Sequence, residues 1–129
     1  KYASIPKYQV YNNALLTAYR GRTFLTDRTD TTAWGRWVES AVGAHLLSKA
    51  EELEYNVYYW REATDEVDFI IEWKGKCIAI EVKSGRRGMN SGLPKFTQAF
   101  HPTRSFVVGT QGVSLEDFLM CNLENLLNG

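Results

Sequence analysis

The stretch "TDEVDFIIEWKGKCIAIEVKSG", residues 64–85, decides the fold, because two apolar runs surround a Lys74-Gly75 dipeptide. Runs rich in β-branched and aromatic residues on both sides of a two-residue turn predict a β-hairpin. The turn fixes the register of the two strands, since Trp73 then lies opposite Lys76. Counting back from the turn places Asp68 opposite Glu81 and so predicts two neighbouring carboxylates.

The two predicted faces of this hairpin differ in polarity. One face carries Glu66 opposite Lys83 and Asp68 opposite Glu81. A slip of one residue would mix the two faces, so the apolar pattern of the other face supports the register. That other face consists of Val67, Phe69, Ile71, Trp73, Ile78, Ile80 and Val82.

The predicted pairing of Asp68 with Glu81 is unfavourable in the absence of a cation. Two carboxylates about 5 Å apart repel each other by roughly 3 kcal/mol at an effective dielectric constant of about 20. Mg²⁺ or Mn²⁺ between them would remove this repulsion, and carboxylate oxygens are suitable ligands for such hard ions. Three alternatives remain: a protonated Asp68, an ion pair of Asp68 with Arg61 or Arg86, and a surface salt bridge between Glu66 and Lys83.

The segments around the hairpin predict an α/β domain with a mixed sheet. Residues 32–53 predict a helix, and the aromatic run at residues 55–62 predicts a strand. The order helix, three strands, helix, strand, helix is typical of layered α/β domains. The remaining predictions are a short strand and helix within 5–19, a helix at 93–100, a strand at 105–110, and one helix from the Ser114 cap through residue 127.

The helix before the hairpin carries Gly35, Glu39 and Gly43 at a spacing of four residues, so the three share one stripe. Glycine in a helix interior costs about 1 kcal/mol relative to alanine, which suggests a close approach to another element. Glu39 then lies beside the acid pair as a third carboxylate. Alternatively, the glycines form a helix–sheet packing groove and Glu39 is an exposed residue at its rim.

The composition is that of one ordinary globular domain spanning residues 1–129. Fifteen basic residues balance fifteen acidic ones, so any contact with nucleic acid depends on a local patch. Cys77 and Cys121 are far apart in the chain and have no metal-type spacing, which favours free thiols and a cytoplasmic location. No apolar run reaches the roughly 20 residues that a membrane helix needs.

Asp68 followed by Glu81-Val82-Lys83 resembles the D…(D/E)-x-K signature of the restriction-endonuclease-like nuclease superfamily. Glu39 resembles the acidic residue on a preceding helix that often accompanies this signature. Residues 5–119 are also similar to the C-terminal domain of a family of archaeal and bacterial AAA+-type ATPases. The matching pieces are "IPKYQVYNNALLTA", "WGRWVESAV", "YYWRE", "EVDFII", "IAIEVKSG" and "SLEDFL".

The resemblance implies a restriction-endonuclease-like fold, a mixed β-sheet flanked by α-helices, in the C-terminal fragment of a longer ATPase. It implies Mg²⁺-dependent hydrolysis of phosphodiesters, with the metal held by Asp68, Glu81 and the main-chain carbonyl of Val82. Lys83 would orient the attacking water or stabilise the developing phosphorane charge, and Glu39 would be an outer ligand of the metal or a ligand of a second metal. No G-x-x-x-x-G-K-[ST] phosphate loop occurs here, so the ATP site would belong to the missing N-terminal part.

The partners that the resemblance implies are nucleic acid, DNA ahead of RNA, and the ATPase domain of the same protein. Phosphate contacts would come from Arg86, Arg87 and Lys95, which could equally form a solvated basic loop. One departure from the superfamily pattern is Val67, which stands where a proline often precedes the aspartate. An alternative function is a non-catalytic recognition domain of the ATPase, for nucleic acid or protein, that keeps the nuclease fold.

Overall fold

A computed structural model describes residues 3–4, 31–63, 65–83, 92–110 and 112–129. The predicted elements within residues 5–19, together with Arg86 and Arg87, lie outside these ranges. None of the described helices is both long enough and apolar enough to cross a membrane. The elements are β1 (Ala3–Ser4), α1 (Thr31–Leu53), β2 (Asn56–Glu62), β3 (Asp65–Trp73), β4 (Lys76–Lys83), α2 (Leu93–Phe100), β5 (Arg104–Gly109), α3 (Leu115–Met120) and α4 (Leu123–Asn128).

The strands form one mixed sheet in the order β1-β2-β3-β4-β5. Neighbours are antiparallel from β1 to β4, whereas β4 and β5 are parallel. Parallel neighbours need a crossover connection, and α2 lies in the chain between these two strands. The predicted α/β class with a mixed sheet is therefore confirmed.

The hairpin turn follows the prediction from sequence. Lys74 and Gly75 have φ angles of 50° and 74°. A two-residue type I′ turn requires positive φ at both positions, and glycine supplies one of them without steric cost. The ammonium group of Lys74 lies 4.6 Å from the centroid of the Trp73 ring. The pairing of β3 with β4 then runs from Trp73–Lys76 to Phe69–Ile80, as predicted.

Both faces of the sheet are covered. On one face, side chains of α1, α3 and α4 pack on the sheet to form the first core cluster. On the other face, Phe96 of α2 packs on the sheet in the second core cluster, which consists of Trp60, Val67, Ile70, Ala79 and Phe96. The chain is thus a three-layer domain over its described part. The buried members of the first core cluster are Val42, Leu46, Tyr55, Phe69, Ile71, Trp73, Ile78, Ile80, Val108, Phe118, Leu123 and Leu127.

Two buried aromatic side chains fasten α1 to the sheet. The indole Nε1 of Trp73 donates a hydrogen bond to the main-chain oxygen of Leu53 at 2.9 Å. The Tyr55 hydroxyl donates to the main-chain oxygen of Leu46, and burial raises the pKa of this hydroxyl so that it keeps its proton. The Trp73 bond satisfies a carbonyl in the last turn of α1, and the two bonds together set the position of the C-terminal half of this helix on the sheet.

The prediction of one helix after Ser114 is wrong, because the chain forms α3 and α4 instead. Cys121 and Asn122 have extended backbone angles, which end α3. The side chain of Asn122 accepts a hydrogen bond from the Asn125 amide at 3.0 Å and so caps α4. The predicted cap at Ser114 is confirmed, since its hydroxyl accepts from the Asp117 amide at 3.1 Å.

We expect His45 to make stability depend on pH. Its ring contacts the Phe118 ring edge-on at a centroid distance of 5.3 Å, which joins α1 to α3. Burial, and secondarily the charge of Lys49, lowers the pKa of His45 below 6.5. The unfolded chain therefore takes up this proton first, so the stability present above pH 6.5 is lost as the pH falls through the folded-state pKa. In urea unfolding at about pH 7.5 and about pH 5.5, wild type should lose more stability on acidification than His45→Gln.

The matched control for this measurement is His101→Asn, which removes the exposed histidine at the left-handed end of α2. Asparagine tolerates this backbone conformation, so the substitution introduces little strain. This control should retain the wild-type difference between the two pH values. An equal loss of stability in wild type and in His45→Gln would contradict the assignment.

Candidate functional site

The ladder between β2 and β3 contains a β-bulge next to the predicted site. Tyr58 pairs with Ile70, but Trp60 pairs with Val67. Two residues of β3, Asp68 and Phe69, therefore lie opposite the single residue between Tyr58 and Trp60. Such a bulge re-aims the side chains that follow it, and bulges are common beside active sites.

Because of the bulge, the two faces of the hairpin differ from the predicted ones. Val67 was predicted to share a face with Phe69, but Val67 packs in the second core cluster and Phe69 in the first. The extra residue in β3 reverses the alternation of side chains, which is the physical reason for the change. Glu66 and Asp68, the neighbours of Val67, are consequently directed away from α2.

Three carboxylates converge next to the bulge. Single carboxylate oxygens of Glu39, Glu66 and Asp68 all lie within 4.8 Å of one another, and each of these residues is half-buried. We call this group the carboxylate triangle. It joins the first half of β3 to α1, the helix in which Glu39 was predicted to accompany the acids.

Glu66 is the member of the carboxylate triangle that the sequence analysis missed. It was assigned to a cross-strand pair with Lys83, but the β3–β4 pairing ends at Phe69–Ile80 and Glu66 instead pairs with Arg61 of β2. The predicted pairing of Asp68 with Glu81 is also absent from the β3–β4 ladder, which ends one pair earlier, at Phe69–Ile80. Glu66 and Asp68, two residues apart, were already predicted to share one face, and this was the available signal that Glu66 could join Asp68 in the site.

Asp68 takes part in the backbone structure as well as in the carboxylate triangle. Its Oδ2 accepts a hydrogen bond from the Val82 amide at 2.8 Å. The carboxylate thereby satisfies an N–H group at the point where the β3–β4 ladder has ended. Val82 was predicted to contribute its carbonyl to a metal, and the contact that the structure shows is made by its amide.

Glu81 and Lys83 lie near the end of β4, close in sequence to Val82. Glu81 is only 6% exposed, and it is not one of the three carboxylates of the triangle. By alternation along β4 it shares a side with Ala79, a member of the second core cluster. Lys83 follows on the same side, and its main-chain oxygen accepts a hydrogen bond from the Thr110 amide at 2.8 Å.

Lys95, predicted as a phosphate contact, is engaged by two acidic side chains. Its Nζ lies 3.1 Å from Oε1 of Glu62 and 3.7 Å from Oδ2 of Asp65. The hydrogen bond and charge of Glu62, assisted by Asp65, raise the pKa of Lys95. This ion-pair network ties α2 to the turn between β2 and β3.

The carboxylate triangle has the chemistry of a cation site. Like charges at about 5 Å repel each other, by roughly 1 kcal/mol in water and more in a half-buried position. Its ligand atoms are hard oxygens, which suit Mg²⁺ and Mn²⁺ rather than thiolate-binding metals. The residues present therefore fit a divalent cation.

We expect two substitutions at Asp68 to separate its backbone role from its charge. Asp68→Ala leaves the Val82 amide without its side-chain acceptor and should lower the free energy of unfolding by about 1–3 kcal/mol. Asp68→Asn retains an acceptor oxygen and removes one charge from the carboxylate triangle, so its stability should equal or exceed that of wild type in EDTA. Urea unfolding measures both, and equal destabilisation by the two variants would contradict this division of roles.

Comparison with known proteins places the chain in a family. The family model described as Domain of unknown function (DUF4143) matches residues 34–123. No curated protein and no solved structure matches the chain. The matched range includes Glu39, Glu66 and Asp68, and it covers well over half of the sequence. The chain is a member of the family described as Domain of unknown function (DUF4143).

Proposed function

We propose that this domain is a metal-dependent nuclease that hydrolyses phosphodiester bonds of DNA or RNA. The observation that carries the proposal is the carboxylate triangle of Glu39, Glu66 and Asp68, within 4.8 Å of one another beside a β-bulge. The resemblance of Asp68 and Glu81-Val82-Lys83 to a nuclease signature gives this acidic group its reaction class. Mg²⁺ or Mn²⁺ is the expected ion, because the donors are carboxylate oxygens.

Three protein groups set the geometry of the proposed metal site. Glu39 is carried by α1, whose C-terminal end is fixed by the hydrogen bonds of Trp73 and Tyr55. Asp68 is held by the Val82 amide, which donates a hydrogen bond to its Oδ2. Glu66 supplies the third carboxylate, which the signature alone does not include.

A bound divalent cation lowers the pKa of its water and stabilises charge that develops on a phosphodiester oxygen. The chain's own residues would orient the reacting groups around that ion. The resemblance gives Lys83, at the end of β4, the role of holding the attacking water or stabilising negative charge on the phosphate. Alternation along β4 puts Lys83 on the α2 side of the sheet, so this role requires its long side chain to reach around the end of β4 to the carboxylate triangle. Glu81, almost fully buried, is the acid of the signature in the strand next to Asp68, and its role as a metal ligand stays a prediction.

The wider context of the proposal comes from the resemblance. A mixed sheet with helices on both faces and an acidic helix before the hairpin agrees with a restriction-endonuclease-like arrangement. The ATPase domain of a longer chain, the nucleic-acid partner and the cytoplasmic location are parts of the same proposal. Lys95 is bound to Glu62 and Asp65, so a phosphate contact through it would require exchange of these ion pairs.

We expect wild-type protein to bind Mn²⁺ in a calorimetric titration, with Asp68→Asn and Glu66→Gln weakening the affinity by at least about tenfold. Both variants keep the size of the side chain and remove one carboxylate charge from the carboxylate triangle. Binding should also raise the free energy of unfolding, by about 2.7 kcal/mol when free Mn²⁺ is 100 times the dissociation constant. Glu81→Gln tests whether the buried acid of the signature takes part.

The control for the Mn²⁺ titration is Glu124→Gln, which removes an exposed carboxylate at the start of α4. It should leave the affinity unchanged. Wild-type protein that binds no Mn²⁺ at millimolar concentration would overturn the catalytic proposal. The non-catalytic recognition domain would then be the favoured function.

We expect Lys83→Met to abolish cleavage while leaving Mn²⁺ affinity almost unchanged, because methionine keeps the length of the side chain and removes only the ammonium group. The measurement is hydrolysis of labelled single-stranded and duplex DNA and RNA in Mn²⁺, with the Kd determined in parallel. A matched control is Lys49→Met, a partly exposed lysine of α1 that pairs with Glu52. Cleavage that survives Lys83→Met would remove this residue from the mechanism.

A further inference from the structure

The start of α2 closely approaches the backbone of β3 at Glu66. The Gly92 amide donates a hydrogen bond to the main-chain oxygen of Glu66 at 3.2 Å. A Cβ atom built on Gly92 would lie 2.5 Å from that oxygen, 2.6 Å from the carbonyl carbon and 2.8 Å from the amide nitrogen of Glu66. All three are backbone atoms, which cannot rotate away as the end of a side chain could. Glycine is therefore required at this point of contact.

Two more contacts of the same turn hold the same part of β3. Lys95 bridges to Asp65, the residue before Glu66, and to Glu62 of β2. Phe96 packs with Val67, the residue after Glu66, in the second core cluster. Residues 65–67 are thus held by α2 through an ion pair, a main-chain hydrogen bond and an apolar contact.

We propose that Gly92 is a positioning residue that sets the place of the Glu66 carboxylate in the carboxylate triangle. A side chain at residue 92 displaces the Glu66 main chain, and the carboxylate moves with it. Divalent cations such as Mg²⁺ bind oxygens at about 2.0–2.1 Å in near-octahedral geometry, so a small displacement removes one ligand. This inference rests on the proposed metal site and adds to it a residue that is not itself a ligand.

Gly92 lies outside the nuclease signature, so its positioning role is not one that the signature assigns. Gly92 lies nine residues after Lys83 and is the N-cap residue of α2. Its contact with β3 goes through the main chain of Glu66, on the strand that also carries Asp68. α2 thus holds residues 65–67 of β3 against displacement.

The test is the Mn²⁺ dissociation constant of wild type, Gly92→Ala and Leu126→Ala, measured by calorimetry on protein shown to be folded. Gly92→Ala should weaken binding by about 10- to 100-fold, the effect typical of residues that orient metal ligands. Leu126→Ala is the control for general destabilisation, since Leu126 packs on the first core cluster from α4. This helix lies near the start of β4, away from Lys83, because its C-cap residue Gly129 lies against Arg104 and Arg104 pairs with Ile78. The Mn²⁺ affinity of Leu126→Ala should therefore equal that of wild type.

The outcomes distinguish the two proposals. Absence of Mn²⁺ binding in wild type overturns the metal site and this inference with it. Binding in wild type with equal affinity in Gly92→Ala overturns the positioning role alone and leaves the proposed function standing. Equal weakening by Gly92→Ala and Leu126→Ala also overturns the positioning role, because general destabilisation then explains both.

Should Gly92→Ala fail to fold, Lys95→Met decides the question. This exposed substitution removes the ion pairs of α2 with Glu62 and Asp65 and adds no atoms between α2 and β3. Loss of a positive charge near the carboxylates by itself strengthens cation binding. Positioning by α2 instead requires weaker Mn²⁺ binding in Lys95→Met, and tighter or unchanged binding would overturn it.

Discussion

The end of the β3–β4 ladder at Phe69–Ile80 is the constraint on which the rest of the site depends. Beyond it, the amide of Val82 has no partner in the β3–β4 pairing and is satisfied by the carboxylate of Asp68. An unsatisfied amide at such a position would cost about 1–3 kcal/mol, so the folded state holds Asp68 in place. The bulge in β3 at Asp68 and the hydrogen bond from the Val82 amide therefore act on the same carboxylate and together set its position.

The two core clusters make this local arrangement rigid. Val67 is anchored on the α2 side and Phe69 on the α1 side, so the bulged segment between them is held from both faces of the sheet. Each buried aromatic or aliphatic side chain contributes roughly 1.5–3 kcal/mol when it leaves water. Sliding of β3 along its neighbours would expose both anchors. Apolar packing on both faces therefore acts together with the Lys95–Asp65 ion pair to fix this part of β3.

Much of the fold follows from local pattern. The Lys74-Gly75 turn and the apolar runs beside it specify the hairpin, and the four-residue spacing around Glu39 places an acid on the face of α1 that meets the sheet. The bulge could not be predicted, because it depends on how β2 and β3 share residues across the ladder. For that reason Val67 was assigned to the wrong face and Glu66 was missed. The break at Cys121 and Asn122 escaped prediction because the apolar periodicity continues through it, whereas the backbone becomes extended there and the Asn122 side chain caps the start of α4.

The two ends of the central hairpin differ in how closely they follow the rules for stable strands. At the turn end, a type I′ turn, a lysine over the Trp73 ring and the bond from Trp73 to Leu53 all favour the observed structure. At the other end, a bulge interrupts β3, its pairing with β4 ends early and three carboxylates cluster. Natural sequences that are otherwise consistent break such rules mainly at functional sites. The concentration of these irregularities around Asp68 therefore supports, without use of any signature, the proposal that this end of the sheet carries the function.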